Sequence, residues 1–308
     1  MIRPLDDLLG SSPEIEGLRE RVARLLERQK DAHRLPSVLI EGETGTGKGL
    51  LARMLHRGGP RADGPFVDVN CAAIPETLLE AEMFGFERGA FTDARRAKPG
   101  LLQAAQRGTI FLDEIGLLGE PLQAKLLKAL EERTVRRLGS TRDEPIDVWL
   151  ITATNEDLRG AIRRRRFRED LYHRLAVVTL TLPPLRARGA DILQLADHFL
   201  RRACADYGIG PRRLGAEACT ALLRYPWPGN VRELANLMER LALLDSDTEI
   251  GAAALGLPAA RAPERPAPVD GGASLDDAVR DRLVDVLRQT GWNISRSAAQ
   301  LGITRNTL

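Results

Sequence analysis

The stretch "SVLIEGETGTGKG", residues 37–49, decides the fold. Val38 to Ile40 form a short apolar run of the kind that makes a buried strand, and it ends at Gly42. The next eight residues, Gly42, Glu43, Thr44, Gly45, Thr46, Gly47, Lys48 and Gly49, fit the pattern G-x-x-x-x-G-K and open a helix. Glycines let successive backbone N–H groups wrap phosphate oxygens, and Lys48 falls in register to reach the β and γ phosphates. A plain Gly-rich turn would not explain a lysine at that place. The spacing therefore predicts a bound nucleotide with Mg²⁺ at this loop. Gly49 stands where Ser or Thr usually follows the lysine, so one Mg²⁺ ligand is replaced by water.

Working outward, "PFVDVN" (65–70), "GTIFLDE" (108–114), "DVWLITATN" (147–155) and "AVVTLTL" (176–182) read as further strands, with helical patterns between most of them. The helix that opens at Ser12-Pro13-Glu14 runs to about residue 33, with Ser12 as its cap and Pro13 at its first position. Strand–helix alternation predicts an α/β fold with a parallel sheet covered by helices on both faces. After Pro183-Pro184 the pattern becomes purely helical, in "ADILQLADHFLRRACADYG", "GAEACTALLRYP" and "NVRELANLMERLALLD". A Pro-, Ala- and Gly-rich stretch follows, and then a last helical segment. The expected division is an α/β subdomain over 1–183, a helical lid over 184–250, a linker over 251–273 and a terminal segment over 274–308.

Composition narrows the class. The chain has 308 residues, 43% hydrophobic and 29% charged, and can bury cores in the ordinary way. A net charge of +2 gives no global basic field, although 40 of the 45 positive charges are arginine. Cys71, Cys204 and Cys219 form no C-x-x-C pair and read as buried thiols of a reducing, cytoplasmic compartment. No run approaches the ~18 apolar residues of a membrane span, and no signal-peptide core is evident. We expect no membrane partner.

The chemistry-bearing residues cluster at strand ends. "GTIFLDEIG" places Asp113 and Glu114 at the carboxyl end of an apolar run, where α/β proteins bind ligands. Beside a phosphate loop, Asp113 is expected to hold Mg²⁺ through water, and Glu114 to polarise the attacking water as general base. Asn155 ends the next strand and is placed to hydrogen-bond the γ-phosphate or that water. Asn70, also at a strand end, is placed to hold Glu114 until ATP is seated. For both asparagines a capping or turn role stays open. Arg168 and Arg174 in "FREDLYHRL" are either surface charges or, in a ring, arginine fingers for a neighbour's site. Arg232 in "WPGNVREL" is placed to touch the nucleotide from the lid.

Taken together, "GETGTGKG", "VNCAAIPETLLEAEMFG", "GAFTDA", "GTIFLDEIG", "ATN", "FREDLYHRL", "PPLRAR" and "YPWPGNVREL" resemble AAA+ ATPases. More narrowly, they resemble the central domain of sigma-54-dependent transcriptional activators, the bacterial enhancer-binding proteins. The match covers roughly residues 8 to 250. That family usually has Glu at the position of Gly49. The resemblance implies a homo-oligomeric ring, normally a hexamer, that spends ATP to remodel closed complexes of sigma-54 RNA polymerase. It also implies that the loop Gly89, Ala90, Phe91, Thr92, Asp93 and Ala94 contacts sigma-54, with Phe91 and Thr92 at the contact positions. This explains an exposed aromatic in a charged stretch. The family loop reads GAFTGA, so Asp93 replaces a glycine. Asp tolerates left-handed backbone, but in a hexamer it would add six carboxylates to one surface, screened only over about 8–10 Å. Arg95 and Arg96 would offset part of that charge.

Residues 274–308 resemble the Fis-type helix-turn-helix of the same family. "GWNISRSAAQLGITRNTL" gives a helix, a turn at Gly302 and the start of a recognition helix bearing Thr304, Arg305 and Asn306, which would enter the major groove of enhancer-like DNA. A small helical oligomerisation element stays open for this segment. The sequence ends about one turn into that helix, and no room for a sensor domain precedes residue 8. We therefore expect a truncated helix-turn-helix, and either control by a separate regulatory protein or a missing N-terminus. Three functional readings follow: a working sigma-54 activator, a related DNA-binding ATPase regulator that has lost sigma-54 contact through Asp93, and an AAA+ machine acting on another target. The helix-turn-helix argues against the third.

Overall fold

Each apolar run forms a strand of one parallel sheet in the computed structural model, which describes residues 8–29, 34–91, 94–245 and 247–257. The strands are β1 Val38–Glu41, β2 Phe66–Asn70, β3 Thr109–Asp113, β4 Trp149–Thr154 and β5 Val178–Thr181, in the order β2-β3-β4-β1-β5. Alternate residues go to opposite faces, as a period of two requires. In β3, Ile110 and Leu112 enter one core while Phe111 enters the other. In β1, Leu39 lies opposite Val38 and Ile40 in the same way.

Helices α1 Pro13–Gln29 and α2 Lys48–Gly58 cover the second face with Ile15, Val22, Leu51 and Leu55. Helices α3 Glu76–Phe84, α4 Glu120–Glu132, α5 Leu158–Arg163 and α6 Glu169–Leu175 cover the first. A fully buried Leu or Ile contributes about 1.5–3 kcal/mol, so two such cores account for central strands buried on both faces. Glu41 pairs with Thr154 in register, and Asn70 with Asp113, so the candidate site residues stand level at the carboxyl edge.

The helical unit has its own core. Helices α7 Asp191–Asp206, α8 Ala216–Arg224 and α9 Asn230–Leu244 pack around Trp227, Leu195, Leu222, Leu234 and Met238. The packing runs past Gly251, where composition suggested a linker: Ala252–Leu255 is a helical turn and Leu255 is fully buried. The rest of that linker and the terminal segment, with Thr304, Arg305 and Asn306, lie outside the described residues.

A strap before α1 ties the two units. Leu8 is buried in the α/β core, whereas Leu9 packs on the helical one. Ser12 opens α1 with its carbonyl, which accepts from Ile15 and Glu16 N–H. Its hydroxyl is committed elsewhere, donating to Asp191 Oδ2 at 2.6 Å. Asp191 also accepts from Ser11 N–H and Ser12 N–H and pairs with buried Arg188. Gly10 is required here. At φ 131° a Cβ would stand 2.3 Å from Asp191 Oδ2.

Candidate nucleotide site

The loop between β1 and α2 has the left-handed backbone that its glycines predict: φ is 81° at Gly45 and 106° at Gly47. Nothing lies within 4 Å of where a Cβ on Gly47 would stand, so the cradle is open there. Lys48 is 6% exposed, and its ammonium donates to Gly42 O at 2.9 Å and to Glu43 O at 3.4 Å. Thr46 Oγ1 closes the turn by donating to Glu43 O at 2.7 Å. A cleft of about 580 Å³ runs from this loop past Gly49 to Asn70, Asp113, Glu114 and Arg232. An open glycine cradle, a lysine and an oxygen-donor pair in one cleft suit a triphosphate with a hard cation.

Glu114 faces Lys48 across the cleft, its Oε1 4.0 Å from Nζ. Its backbone is left-handed, φ 55° and ψ 47°, a conformation that costs a non-glycine residue about 1–3 kcal/mol and concentrates at functional sites. The strain is held by Glu114 N–H donating to Asp113 Oδ1 at 3.0 Å and by Leu117 N–H donating to Glu114 O. Asn70 lines the cleft beside Asp113, but its amide oxygen accepts from Ala72 N–H at 2.9 Å rather than engaging Glu114. Asn155 donates to Thr44 Oγ1 at 2.9 Å, so it touches the loop itself. Cys71 sits under this edge. Burial, with help from Asp113 and Glu114, pushes its thiol up to about 12, so it stays protonated and inert near neutral pH.

The arginines divide. Arg232 lines the cleft from α9, and its N–H donates to Gly45 O at 3.2 Å. Arg168 caps α6, and its guanidinium lies on the exposed Asp170 carboxylate at 2.7 and 3.1 Å. Arg174 donates to Leu130 O at 2.6 Å and faces a separate cavity with Arg61 and Arg133, near the amino ends of β1 and β4. Neither residue lines its own chain's cleft.

Sequence reasoning missed two residues here, Arg186 and Asn230. Both bond the carboxylate of Glu43, and Asn230 also holds Thr44 O. They lie in "PPLRAR" and "WPGNVREL", but partners 143 and 186 positions away leave no one-dimensional signal.

The loop at 89–94 stands on a short antiparallel pair, Gly85–Phe86 with Lys98–Pro99. Gly89 N–H donates to Ala94 O and Ala94 N–H to Phe91 O. Ala90 N–H donates to Glu87 O at the loop's entry. Phe91 is 42% exposed and leans on Phe86, ring centroids 4.9 Å apart. Thr92 and Asp93 lie outside the described residues.

Comparison with known proteins places the chain in a family and shows the same fold. Residues 8–181 match the family model of the sigma-54 interaction domain, 186–268 that of the AAA+ ATPase lid domain, and 275–308 that of the Fis-family bacterial regulatory protein. The response regulator protein PilR of Pseudomonas aeruginosa is 42% identical over 98% of this chain and 68% of its own length. Sigma54-dependent transcriptional activator SfnR of Pseudomonas putida is 52% identical over 76% of this chain and 64% of its own. NtrX from Brucella abortus, solved in complex with ATP, superposes with a TM-score of 0.73 at 35% identity, covering 97% of this chain and 67% of that one. A RuvB mutant of Thermotoga maritima, at 17% identity and TM-score 0.55, shares the fold. The chain spans about two thirds of the length of the PilR relative and of the NtrX structure.

Proposed function

The chain belongs to the sigma-54-dependent transcriptional activators, with their ATP-binding AAA+ domain, and on that premise we propose that it hydrolyses ATP to remodel closed complexes of sigma-54 RNA polymerase. The observation that carries this reading is the Lys48–Glu114 pair facing across an open phosphate cradle. The loop amides and Lys48 would bind the β and γ phosphates. Glu114 would take a proton from the attacking water as its oxygen bonds the γ-phosphorus and the bond to the β-phosphate oxygen breaks. Asp113 would hold Mg²⁺ through water, and the ion would neutralise charge developing on the phosphates. Asn155, already on Thr44, would report loop position to β4. Asn70 would need to leave Ala72 to meet Glu114.

Arg168 and Arg174, absent from their own cleft, would act on a neighbour's nucleotide in a ring, with a hexamer as the expected assembly. Arg168→Ala is expected to keep ATP binding and lose most hydrolysis, on the order of 10³-fold for an arginine finger. Titration of ATP and steady-state turnover at high protein concentration check it, and unchanged turnover would remove Arg168 from this role.

The loop at 89–94 would carry the work to sigma-54, and the Fis-type segment would hold the protein on DNA. Asp93 favours a second reading, a regulator whose motor no longer grips sigma-54. ATP-dependent open-complex formation on closed and pre-opened promoter templates separates the two, with the Asp93→Gly variant run alongside. We expect both proteins to open the closed template. If only the glycine variant does so while both hydrolyse ATP equally, the motor is intact and the sigma-54 contact is lost.

A further inference from the structure

The loop that would hold the phosphates is itself held by the helical unit. Glu43 turns its carboxylate away from the cradle onto Arg186, which donates from Nη1 to Oε2 at 2.8 Å and from Nη2 to Oε1 at 2.5 Å. Asn230 Nδ2 donates to Glu43 Oε2 at 3.1 Å and to Thr44 O at 3.0 Å, while its Oδ1 accepts from Leu185 N–H at 2.8 Å. Arg232 N–H reaches Gly45 O, and a Cβ on Gly45 would lie 2.3 Å from Gly229 O. Three successive loop residues, 43, 44 and 45, thus each hang on a group from the first turn of α9 or from the turn at Leu185–Ala187. Asn230 is fully buried with φ 51°, a conformation uncommon outside glycine, and its three side-chain hydrogen bonds over-determine it.

We propose that Glu43 is a positioning residue for nucleotide turnover: its carboxylate, gripped by Arg186 and Asn230, sets the angle at which α9 carries Arg232 into the phosphate cleft. The proposal rests on the ATPase reading above. Three arguments support it. A carboxylate in an anion-binding loop would repel phosphate unless turned outward and neutralised, and a bidentate guanidinium does both. Arg186 first, then Asn230, hold the Glu43 carboxyl down at about 2, so the clasp keeps its charge throughout the working pH range. Finally, the Arg186 and Glu43 side chains are 48% and 42% exposed, and an exposed pair adds little to folding stability, so breaking it should leave the fold in place and expose any effect on turnover. Any shift of the loop around phosphates would be felt by α9 through the Gly45–Gly229 backbone approach.

The test uses the full chain and its Glu43→Gln, Arg186→Gln, Arg186→Lys and doubly substituted Glu43→Gln/Arg186→Gln variants. The readouts are kcat, KM, release of fluorescently labelled ADP, and the thermal midpoint. Each single glutamine variant should lose up to about 10²-fold in kcat with a smaller change in KM and faster ADP release, the size that a misplacement of about 1 Å can reach. The double variant should be no worse than the poorer single one, because both break the same clasp. Arg186→Lys keeps the charge without the fork and should recover part of the loss. Wild-type kcat and release in Glu43→Gln would overturn the proposal, as would losses that multiply in the double variant. So would a fall in thermal midpoint large enough to account for the lost turnover. If the wild type binds nucleotide without turning it over, the ATPase reading fails, and ADP release alone then decides the clasp. A wild type that binds no nucleotide overturns both.

Discussion

Lys48→Ala should bind no ATP at concentrations that saturate the wild type. Lys48 is 6% exposed, and its ammonium rests on the carbonyls of Gly42 and Glu43. Those neutral acceptors hold it weakly, and phosphate oxygens would replace or join them as charged ones. Two charge-assisted hydrogen bonds at about 1.5–3 kcal/mol each amount to two to four decades of affinity. The loop amides remain, so a residual weak site is expected rather than misfolding. Calorimetric titration with ATP, alongside a circular dichroism melt, measures both. Wild-type affinity in the variant would put the nucleotide somewhere other than this loop.

The fold was legible because its strands are short, apolar and punctuated. Val38-Leu39-Ile40 and Ile110-Phe111-Leu112 are runs buried on both faces, and in a covered parallel sheet such runs need no alternation to be recognised. The phosphate loop was legible because glycine spacing and a lysine in register fix a backbone shape locally. Strand order was not, since β1 pairs with β4 and β5 across more than a hundred residues of chain. The left-handed turn at Glu114 was also hidden, because nothing about a glutamate at a strand end forecasts positive φ. Ser12 illustrates a subtler miss. The cap position was right, but the hydroxyl serves a buried Asp191 that is 179 positions away. Phe91 is exposed, as its charged surroundings imply, yet it rests on Phe86 at the base of its own loop, a contact that no helical or strand period would show.

The acidic edge carries the other large expected effect. Glu114→Gln removes the base while keeping the side chain's size and the strained backbone at φ 55°. General-base assistance is worth about 10²–10⁴-fold, so kcat should fall by that much. Binding should not weaken. Glu114 Oε1 lies 4.0 Å from Lys48 Nζ and competes for the ammonium that the γ-phosphate would use. Removing that negative charge also lowers repulsion with the phosphates, so ATP affinity should hold or rise. Single-turnover hydrolysis and equilibrium binding of a labelled nucleotide read the two effects separately. Loss of both together would mean that Glu114 shapes the edge rather than acting on water, for instance by supporting the turn at Ile115–Leu117. Normal hydrolysis would move the base to another group of the same cleft, and Asp113, whose Oδ1 already accepts the Glu114 N–H, would be the next to replace.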